Sequence, residues 1–269
     1  MAYKTLWTFF KFSWTRKLFF KVLYEALPKI VGKSDWHFMN YGYSPSKNEV
    51  SNMQKPAKHE LQQYPMQMYH YLACCSPLKN LEILEVGCGR GGGAYYIANN
   101  FQPKSIIGLD FSSSAIKLAK TMFSSPNLDY IEGNAMNLPY DSNSFDTIIN
   151  VESCHSYGNQ SFFLKEVYRV LKPGGILLLV DFRKNHLWPA FNQILSNLPF
   201  DIKEEDISNN VLKALKEENS LKKSEIDKKI PKFLRNYFYE FAGLEGTELF
   251  QKIENGTTKY KRFICVKKS

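Results

Sequence analysis

The chain has 269 residues, a net charge of +9 and 44% hydrophobic residues, a composition ordinary for a globular protein that excludes wholesale disorder. Its apolar runs stay short of the roughly 18 residues that a membrane-spanning helix needs. The positive charge suits an acidic partner such as nucleic acid, an anionic membrane or an acidic substrate. Solvated lysines on a soluble enzyme would explain it equally well.

Cysteine and acid spacing indicates neither disulfides nor a metal. The five cysteines are odd in number, lack a Cys-x-x-Cys pair and include the neighbours Cys74 and Cys75. This pattern predicts no disulfide framework and no zinc site. Asp, Glu and His do not cluster at ligand spacing, so we predict that no metal is bound. Reduced thiols indicate a cytoplasmic protein.

Residues 1–30 form a basic, aromatic segment. At 100° per residue, Lys4 and Lys11 share one face with other polar residues, whereas Phe12 and Phe20 gather on the opposite face. We therefore predict an amphipathic helix. Such a helix can lie in a membrane interface, giving peripheral membrane contact, or it can pack on the protein as a lid or a dimer arm.

The chain then alternates between helices and strands. Residues 35–55 are polar and predict a loop. The predicted helices cover 56–76, 92–101, 112–123 and 160–171, and the predicted strands cover 81–86, 105–110, 128–132, 145–151 and 175–181. Alternation of this kind predicts an α/β fold with a doubly wound, mostly parallel sheet covered by helices on both faces.

The C-terminal third has a different composition. Residues 200–230 are charged and helical in pattern, which predicts an insertion over the strand ends. An amphipathic, aromatic stretch follows at 231–243, and a last strand is predicted near 258–267 after an Asn255-Gly256 turn.

A glycine-rich loop follows the first predicted strand and leads into a helix. Glycines at positions such as Gly87 and Gly89 allow a tight turn and close approach of the backbone to a ligand. Asp110 ends the next strand, 19 residues after Gly91, where a carboxylate can bind both ribose hydroxyls. Glu85, two residues before the first glycine, suits an ammonium group but not a pyrophosphate.

Two further strand ends carry polar groups. The third strand ends in Gly133-Asn134-Ala135, where a side-chain amide and a backbone amide can bind an adenine edge, and the fourth ends in Asn150. With LEVGCGRGGG, EGNAMNLPYDSNSFD and EVYRVLKPGGILLLVDF, residues 81–182 resemble the class I S-adenosylmethionine-dependent methyltransferases. The resemblance implies a Rossmann-like, seven-stranded sheet and S-adenosyl-L-methionine as the cofactor.

A narrower resemblance extends from about Trp36 to Val266. GLDFSSSAIKLAK, NVESCHSY and PKFLRNYFYEFAGLEGTEL are similar to the phthiotriolone/phenolphthiotriolone dimycocerosates methyltransferases, which O-methylate a hydroxyl on a long lipid. The similarity is weaker at 200–228. It implies a methyltransferase that acts on a hydrophobic small molecule or lipid, and the activity it implies is firmer than the substrate.

Site residues follow from the resemblance by position. The methionine moiety is assigned to Glu85, Gly87 and Gly89, the ribose to Asp110, the adenine to Phe111, Asn134 and Ala135, and the methionine end to Asn150. Two alternatives stay open, because Glu85 could instead cap the turn and Phe111 could belong to the core.

A neutral alcohol is a poor nucleophile and needs a base as it attacks a methyl group. Histidine is the usual choice, and His155, just after the fourth strand, is the best placed of the five histidines. The alternative is that His155 only bonds a loop or lines the pocket, with Glu152, Cys154 and Tyr157 as rivals or orienting groups.

The predicted organisation has four parts. They are an N-terminal amphipathic helix and cap (1–55), the cofactor-binding core (56–185), a helical insertion that forms an acceptor lid (186–245) and a C-terminal strand region that completes the sheet (246–269). We expect residues 36–43, the insertion and 231–243 to build the acceptor pocket.

Other functions are weighed against O-methylation. They are sterol-type C-methylation, N-methylation of a small molecule, and a non-catalytic scaffold that binds the cofactor. No nucleic-acid partner is expected, because NVESCHSY stands where base-modifying enzymes carry a motif such as Asn-Pro-Pro-Tyr.

Overall fold

The computed structural model describes residues 36–46 and 62–268. The helix predicted within residues 1–30 lies outside these ranges. Within them, no helix combines the length and the apolar character that crossing a membrane requires.

A seven-stranded sheet with the strand order β3-β2-β1-β4-β5-β7-β6 forms the centre of the molecule. The first five strands pair in parallel, and β7 runs antiparallel to both of its neighbours. The strands are β1 (Glu82–Val86), β2 (Ser105–Asp110), β3 (Leu128–Glu132), β4 (Phe145–Val151), β5 (Leu171–Lys184), β6 (Phe200–Asp206) and β7 (Thr258–Lys267). The predicted doubly wound α/β fold is confirmed.

Helices alternate with these strands and cover the sheet. They are α1 (Gln63–Ala73), α2 (Gly92–Asn100), α3 (Ser113–Met122), α4 (Gln160–Val170), α5 (Trp188–Ser196), α6 (Ser208–Lys229), α7 (Lys232–Ala242) and α8 (Glu248–Glu254). Local chemistry sets several helix starts, because Ser112, Asn159 and Thr247 each accept a backbone N–H of the first turn.

Alternating side chains of the central strands enter two apolar layers. Ile83 and Ile149 lie in one buried cluster, and their neighbours Leu84 and Ile148 lie in the other. Successive side chains of a strand point to opposite faces of the sheet, so a sheet covered on both sides needs continuous apolar runs. This is why LEILEV and ILLLV predicted the central strands correctly.

The sequence prediction is wrong at residues 200–206, which form the edge strand β6 rather than part of a helical insertion. Within residues 36–46 and 62–268 the strand pairs with β7 alone, from Phe200 opposite Lys267 to Asp206 opposite Lys261. Most of its side chains are exposed, so DIKEED shows no apolar alternation that would predict a strand. Charged residues are typical of a sheet edge, where they prevent pairing with another chain.

Residues 36–46 contain no helix or strand, as the loop prediction for 35–55 expects. The segment connects the glycine loop to α6, because the carbonyl of His37 accepts the N–H of Gly92 at 3.3 Å and the N–H of Ser44 donates to the carbonyl of Asn210 at 3.1 Å. It therefore passes over the carboxyl edge of the parallel strands, where ligands bind in folds of this kind.

Candidate active site

The glycine loop joins β1 to α2, and two of its glycines have different structural roles. Gly87 has a φ of 78°, and a Cβ on it would lie 2.4 Å from the hydroxyl oxygen of Ser153. Close packing within the protein therefore requires Gly87. A Cβ on Gly89 would meet only Met39 among the described residues, at 3.6 Å. Gly89 is thus the position where the loop backbone is open to a ligand.

Asp110 ties this loop to the end of β2. Its two carboxylate oxygens accept the backbone N–H groups of Gly89 at 2.8 Å and Ser112 at 2.9 Å. Burial raises the pKa of Asp110. Each carboxylate oxygen can accept a second hydrogen bond, so ribose hydroxyls can still bind there.

The predicted adenine site consists of neighbouring strand ends. Phe111 is 68% exposed, so the alternative that it belongs to the core is wrong. Ala135 is buried. The side-chain oxygen of Asn134 accepts the N–H of Met136 at 2.9 Å and so stabilises its own turn. The contacts of these three residues with adenine stay a prediction.

Glu85 is a fully buried carboxyl group beneath the glycine loop. It accepts a hydrogen bond from the Tyr69 hydroxyl at 2.6 Å. Burial raises the pKa of Glu85 to about 7, although the Tyr69 hydroxyl and the Ala94 amide favour the ionised form. The Ala94 contact fits the capping alternative, and the cost of burying the charge fits a cationic ligand.

Asn150 is the centre of a polar network at the end of β4. It is fully buried, and its amide nitrogen lies 2.8 Å from both the Val86 carbonyl oxygen and the Ser153 hydroxyl. Its side-chain oxygen has no hydrogen-bond partner among the described residues. The Tyr157 hydroxyl joins the network at 2.9 Å from the Ser153 hydroxyl, and burial raises the pKa of Tyr157. The Tyr157 hydroxyl therefore keeps its proton at neutral pH, and its role as an orienting group stays a prediction.

These groups fit S-adenosylmethionine. The buried Glu85 carboxyl group and the unsatisfied oxygen of Asn150 are suited to its ammonium and sulfonium cations, Asp110 is suited to its ribose, and the exposed ring of Phe111 is suited to adenine; each of these pairings stays a prediction. Gly89 is the loop position at which a ligand can approach the backbone.

His155 lies in a short turn, Cys154–Ser156, directly after β4. Its Nδ1 is 2.6 Å from the Oδ1 of Asp181, whose side chain is 0% exposed, whereas 29% of the His155 side chain is exposed. Burial alone would raise the pKa of Asp181, but His155 and Arg183 outweigh it, so the pKa of Asp181 is lowered. An ionised Asp181 accepts the Nδ1 proton and leaves Nε2 of His155 as the acceptor nitrogen.

The rivals of His155 are less suited to accept a proton. Burial raises the pKa of Glu152 to about 8, and its Oε1 accepts the N–H of Tyr41 at 3.0 Å. The Cys154 thiol is buried and lies 3.0 Å from the Oδ2 of Asp181, and burial raises its pKa well above the ordinary value. At neutral pH these two groups hold their protons.

A row of aromatic rings extends from His155 toward residues 36–43 and α7. The His155 ring centroid is 4.4 Å from that of Phe182, which lies 5.0 Å from Tyr260 and 5.8 Å from Tyr41. The Tyr41 hydroxyl donates to the carbonyl of Phe241 at 3.1 Å. Residues 36–43 and α7 therefore contact one another through Tyr41, which packs on Phe182 beside His155, and their role as an acceptor pocket stays a prediction.

Not every aromatic residue of α7 is suited to that pocket. Phe238 is 1% exposed and belongs to the core, whereas Phe233 is 75% exposed. Phe233 thus lies on the exposed surface of α7.

Sequence reasoning missed Asp181 and Arg183, which contact one another and reach the site from β5. One signal was present, because an acid at the carboxyl end of a central parallel strand lies where such folds bind ligands. Ser153 was also missed, although it lies within the NVESCHSY segment quoted for the resemblance.

Comparisons with known proteins identify the family of the chain. Residues 84–179 match the family model described as a methyltransferase domain. The chain is 33% identical over 94% of its length to phthiotriol/phenolphthiotriol dimycocerosates methyltransferase of Mycobacterium tuberculosis, covering 93% of that protein. It is 30% identical over 92% of its length to a fatty-acid O-methyltransferase of Mycolicibacterium smegmatis, covering 89% of it.

A solved structure of geranyl diphosphate methyltransferase in complex with S-adenosylmethionine has the same fold, with a TM-score of 0.61 and 13% identity over 87% of this chain and 99% of that one. The fold, the glycine loop and the near full-length similarity to curated enzymes agree, and the chain belongs to the S-adenosylmethionine-dependent methyltransferases.

Proposed function

We propose that this methyltransferase transfers a methyl group from S-adenosylmethionine to a hydroxyl group of a lipid or another hydrophobic small molecule. The observation that carries the proposal is the His155–Asp181 pair, with 2.6 Å between Nδ1 and Oδ1, next to the aromatic ring of Phe182. The relatives named for phthiotriol dimycocerosates and fatty-acid methylation support a lipid acceptor.

The bound cofactor supplies a methyl group already activated by its sulfonium charge, so the protein mainly aligns the acceptor and removes a proton. The Nε2 of His155 accepts the hydroxyl proton as the oxygen attacks. The ionised Asp181 keeps the ring in the required tautomer and stabilises the imidazolium that forms. Tyr41 and Phe182, which are half-buried, provide an apolar surface for the chain of the acceptor, and the buried ring of Tyr260 packs behind Phe182.

The His155–Asp181 pair also favours one kind of acceptor over another. A fatty-acid carboxylate is already ionised at neutral pH and needs no base, whereas an alcohol does. C-methylation of a sterol-type substrate would instead use an anionic group to stabilise a carbocation, and burial raises the pKa of Glu152, the carboxyl group directly after β4, to about 8 in the cofactor-free protein. A base with a fixed tautomer favours a hydroxyl acceptor. N-methylation and a scaffold role are the two other functions that experiment must separate from O-methylation.

The test compares His155→Gln and Asp181→Asn with the unchanged enzyme. A positioned general base contributes about 10²- to 10⁴-fold to the rate, so we expect His155→Gln to lower kcat by that factor and leave cofactor affinity within about threefold. The matched control is His186→Gln, since His186 lies on the surface in another short turn. Retention of kcat in His155→Gln would overturn the assignment of the base. Cofactor binding without turnover in the unchanged enzyme on any acceptor would favour a scaffold.

We further propose that the enzyme is cytoplasmic and contacts membranes through residues 1–30. The basic, aromatic composition of that segment supports this. The full-length protein should float with anionic liposomes, and replacing Lys11, Arg16, Lys17 and Lys21 by Glu should abolish flotation. A full-length protein that never floats with anionic liposomes would contradict the proposal.

A further inference from the structure

Arg183 lies two residues after Asp181 on β5, and its side chain is nearly buried, with 6% exposed. Its Nη2 donates to the Oδ2 of Asp181 at 2.9 Å, and its Nη1 donates to Gln160 at 3.0 Å. The guanidinium carbon lies 4.4 Å from the ring centroid of Trp188 and 3.8 Å from that of Phe191. Hydrogen bonds and two aromatic rings therefore fix this cation on the side of Asp181 away from His155.

The two oxygens of Asp181 thus have different partners. Oδ1 faces His155, and Oδ2 faces Arg183 together with the Cys154 thiol. A buried carboxylate without a second cation would favour a second proton on the histidine, because a lone buried charge is costly and an adjacent imidazolium would compensate it. A doubly protonated ring cannot accept a proton from an acceptor hydroxyl.

Other charged and titratable groups also face Asp181. Glu152 on the neighbouring strand end and Tyr260 on β7 interact with it electrostatically. Lys222 of α6 acts on Glu152 and is itself paired with Glu218 at 2.8 Å. Of these described groups, Arg183 is the cation in direct contact with the Asp181 carboxylate.

We propose that Arg183 is a positioning residue that neutralises Asp181, so that the carboxylate orients His155 without keeping a second proton on the ring. This inference rests on the proposed function for its consequence in catalysis. Its effect on His155 can be measured independently of any acceptor.

The test compares Arg183→Met and Arg183→Lys with the unchanged enzyme. A charge in contact with an ionisable pair changes a titration by about 1–3 pH units. In Arg183→Met we expect the acid limb of the pH profile of kcat/KM to move up by about one pH unit, with most of the activity recovered on the alkaline side. Arg183→Lys keeps the charge without the planar fork and should restore much of the original profile. The matched control is Arg169→Met, which removes an arginine paired with Glu166 at 2.7 Å on α4.

The second readout is the titration of the His155 ring by NMR, with S-adenosylhomocysteine bound and no acceptor present. Its midpoint should move upward in Arg183→Met and stay in place in Arg169→Met. An unmoved midpoint, with activity lowered equally at every pH, would show a purely structural role and overturn the inference. A midpoint that moves while the kinetic profile stays fixed would support the effect on His155 and would instead contradict its role as the base.

Discussion

Replacing Glu85 by Gln should remove a pH-dependent loss of stability from the cofactor-free protein. Burial raises the pKa of Glu85 to about 7 from its ordinary 4.5, so the folded state keeps a proton that the unfolded chain releases at lower pH. The stabilisation from this group is complete below its unfolded pKa and is lost as the pH rises through about 7. A pKa difference of about 2.5 corresponds to about 3 kcal/mol in total.

The assay is urea unfolding of Glu85→Gln and the unchanged protein at several pH values, without cofactor. As the pH rises from about 5 to about 8, the free energy of unfolding of the unchanged protein should fall by about 2 kcal/mol relative to that of Glu85→Gln. Glu82→Gln on the same strand is the control, because hydrogen bonds from Lys172 and Lys104 lower the pKa of Glu82 to about 2. That stabilisation is present above the unfolded pKa, so Glu82→Gln should lose stability relative to the unchanged protein as the pH rises. Parallel pH curves for Glu85→Gln and the unchanged protein would refute the reasoning.

Three further substitutions test cofactor binding at Asp110 and the contributions of Gly87 and Lys267 to the stability of the fold. Asp110→Ala should weaken S-adenosylmethionine binding by about 10- to 100-fold in calorimetry, because hydrogen bonds to a charged group contribute about 1.5–3 kcal/mol. Gly87→Ala should lower the free energy of unfolding by about 2–4 kcal/mol, since overpacking and a strained positive φ both cost energy. Lys267→Met should lower it by about 2 kcal/mol, because its ammonium group donates to the carbonyls of Tyr168 at 2.8 Å and Leu171 at 2.6 Å.

Each of these has an outcome that contradicts it. Unchanged cofactor affinity in Asp110→Ala would remove the ribose assignment. A Gly87→Ala protein as stable as the original would show that Ser153 can move aside, and an unaffected Lys267→Met protein would show that water satisfies those carbonyls.

Continuous apolar runs and glycine turns were enough to predict the parallel half of the sheet. Residues such as Leu84 and Leu178 are fully buried, and burial on both faces leaves a clear pattern in the sequence. The edge strand β6 leaves none, because its side chains are mostly exposed and its register depends on β7, which follows more than fifty residues later. Long-range pairing of this kind cannot be obtained from local periodicity.

The cofactor positions could be proposed from the sequence because each lies at or just after the end of a recognisable strand, β1 to β4, and their contacts with the cofactor stay a prediction. Asp181 could not be assigned in the same way, because its contact with His155 depends on how β4 and β5 pair. That register sets Val151 opposite Val180, which brings the turn after β4 beside the end of β5. The role of Arg183 depends further on Trp188 and Phe191, an arrangement that no local motif indicates.

The most direct test of the proposed function is to incubate the purified full-length enzyme with S-adenosylmethionine carrying a tritiated methyl group and a lipid extract of the source cells. We predict label in the organic phase that resists alkaline hydrolysis, as a methyl ether does, and that falls at least about 100-fold in His155→Gln. Label released by alkali as methanol would identify a carboxyl acceptor and contradict the assignment of a hydroxyl. Label confined to the aqueous phase would contradict a lipid acceptor.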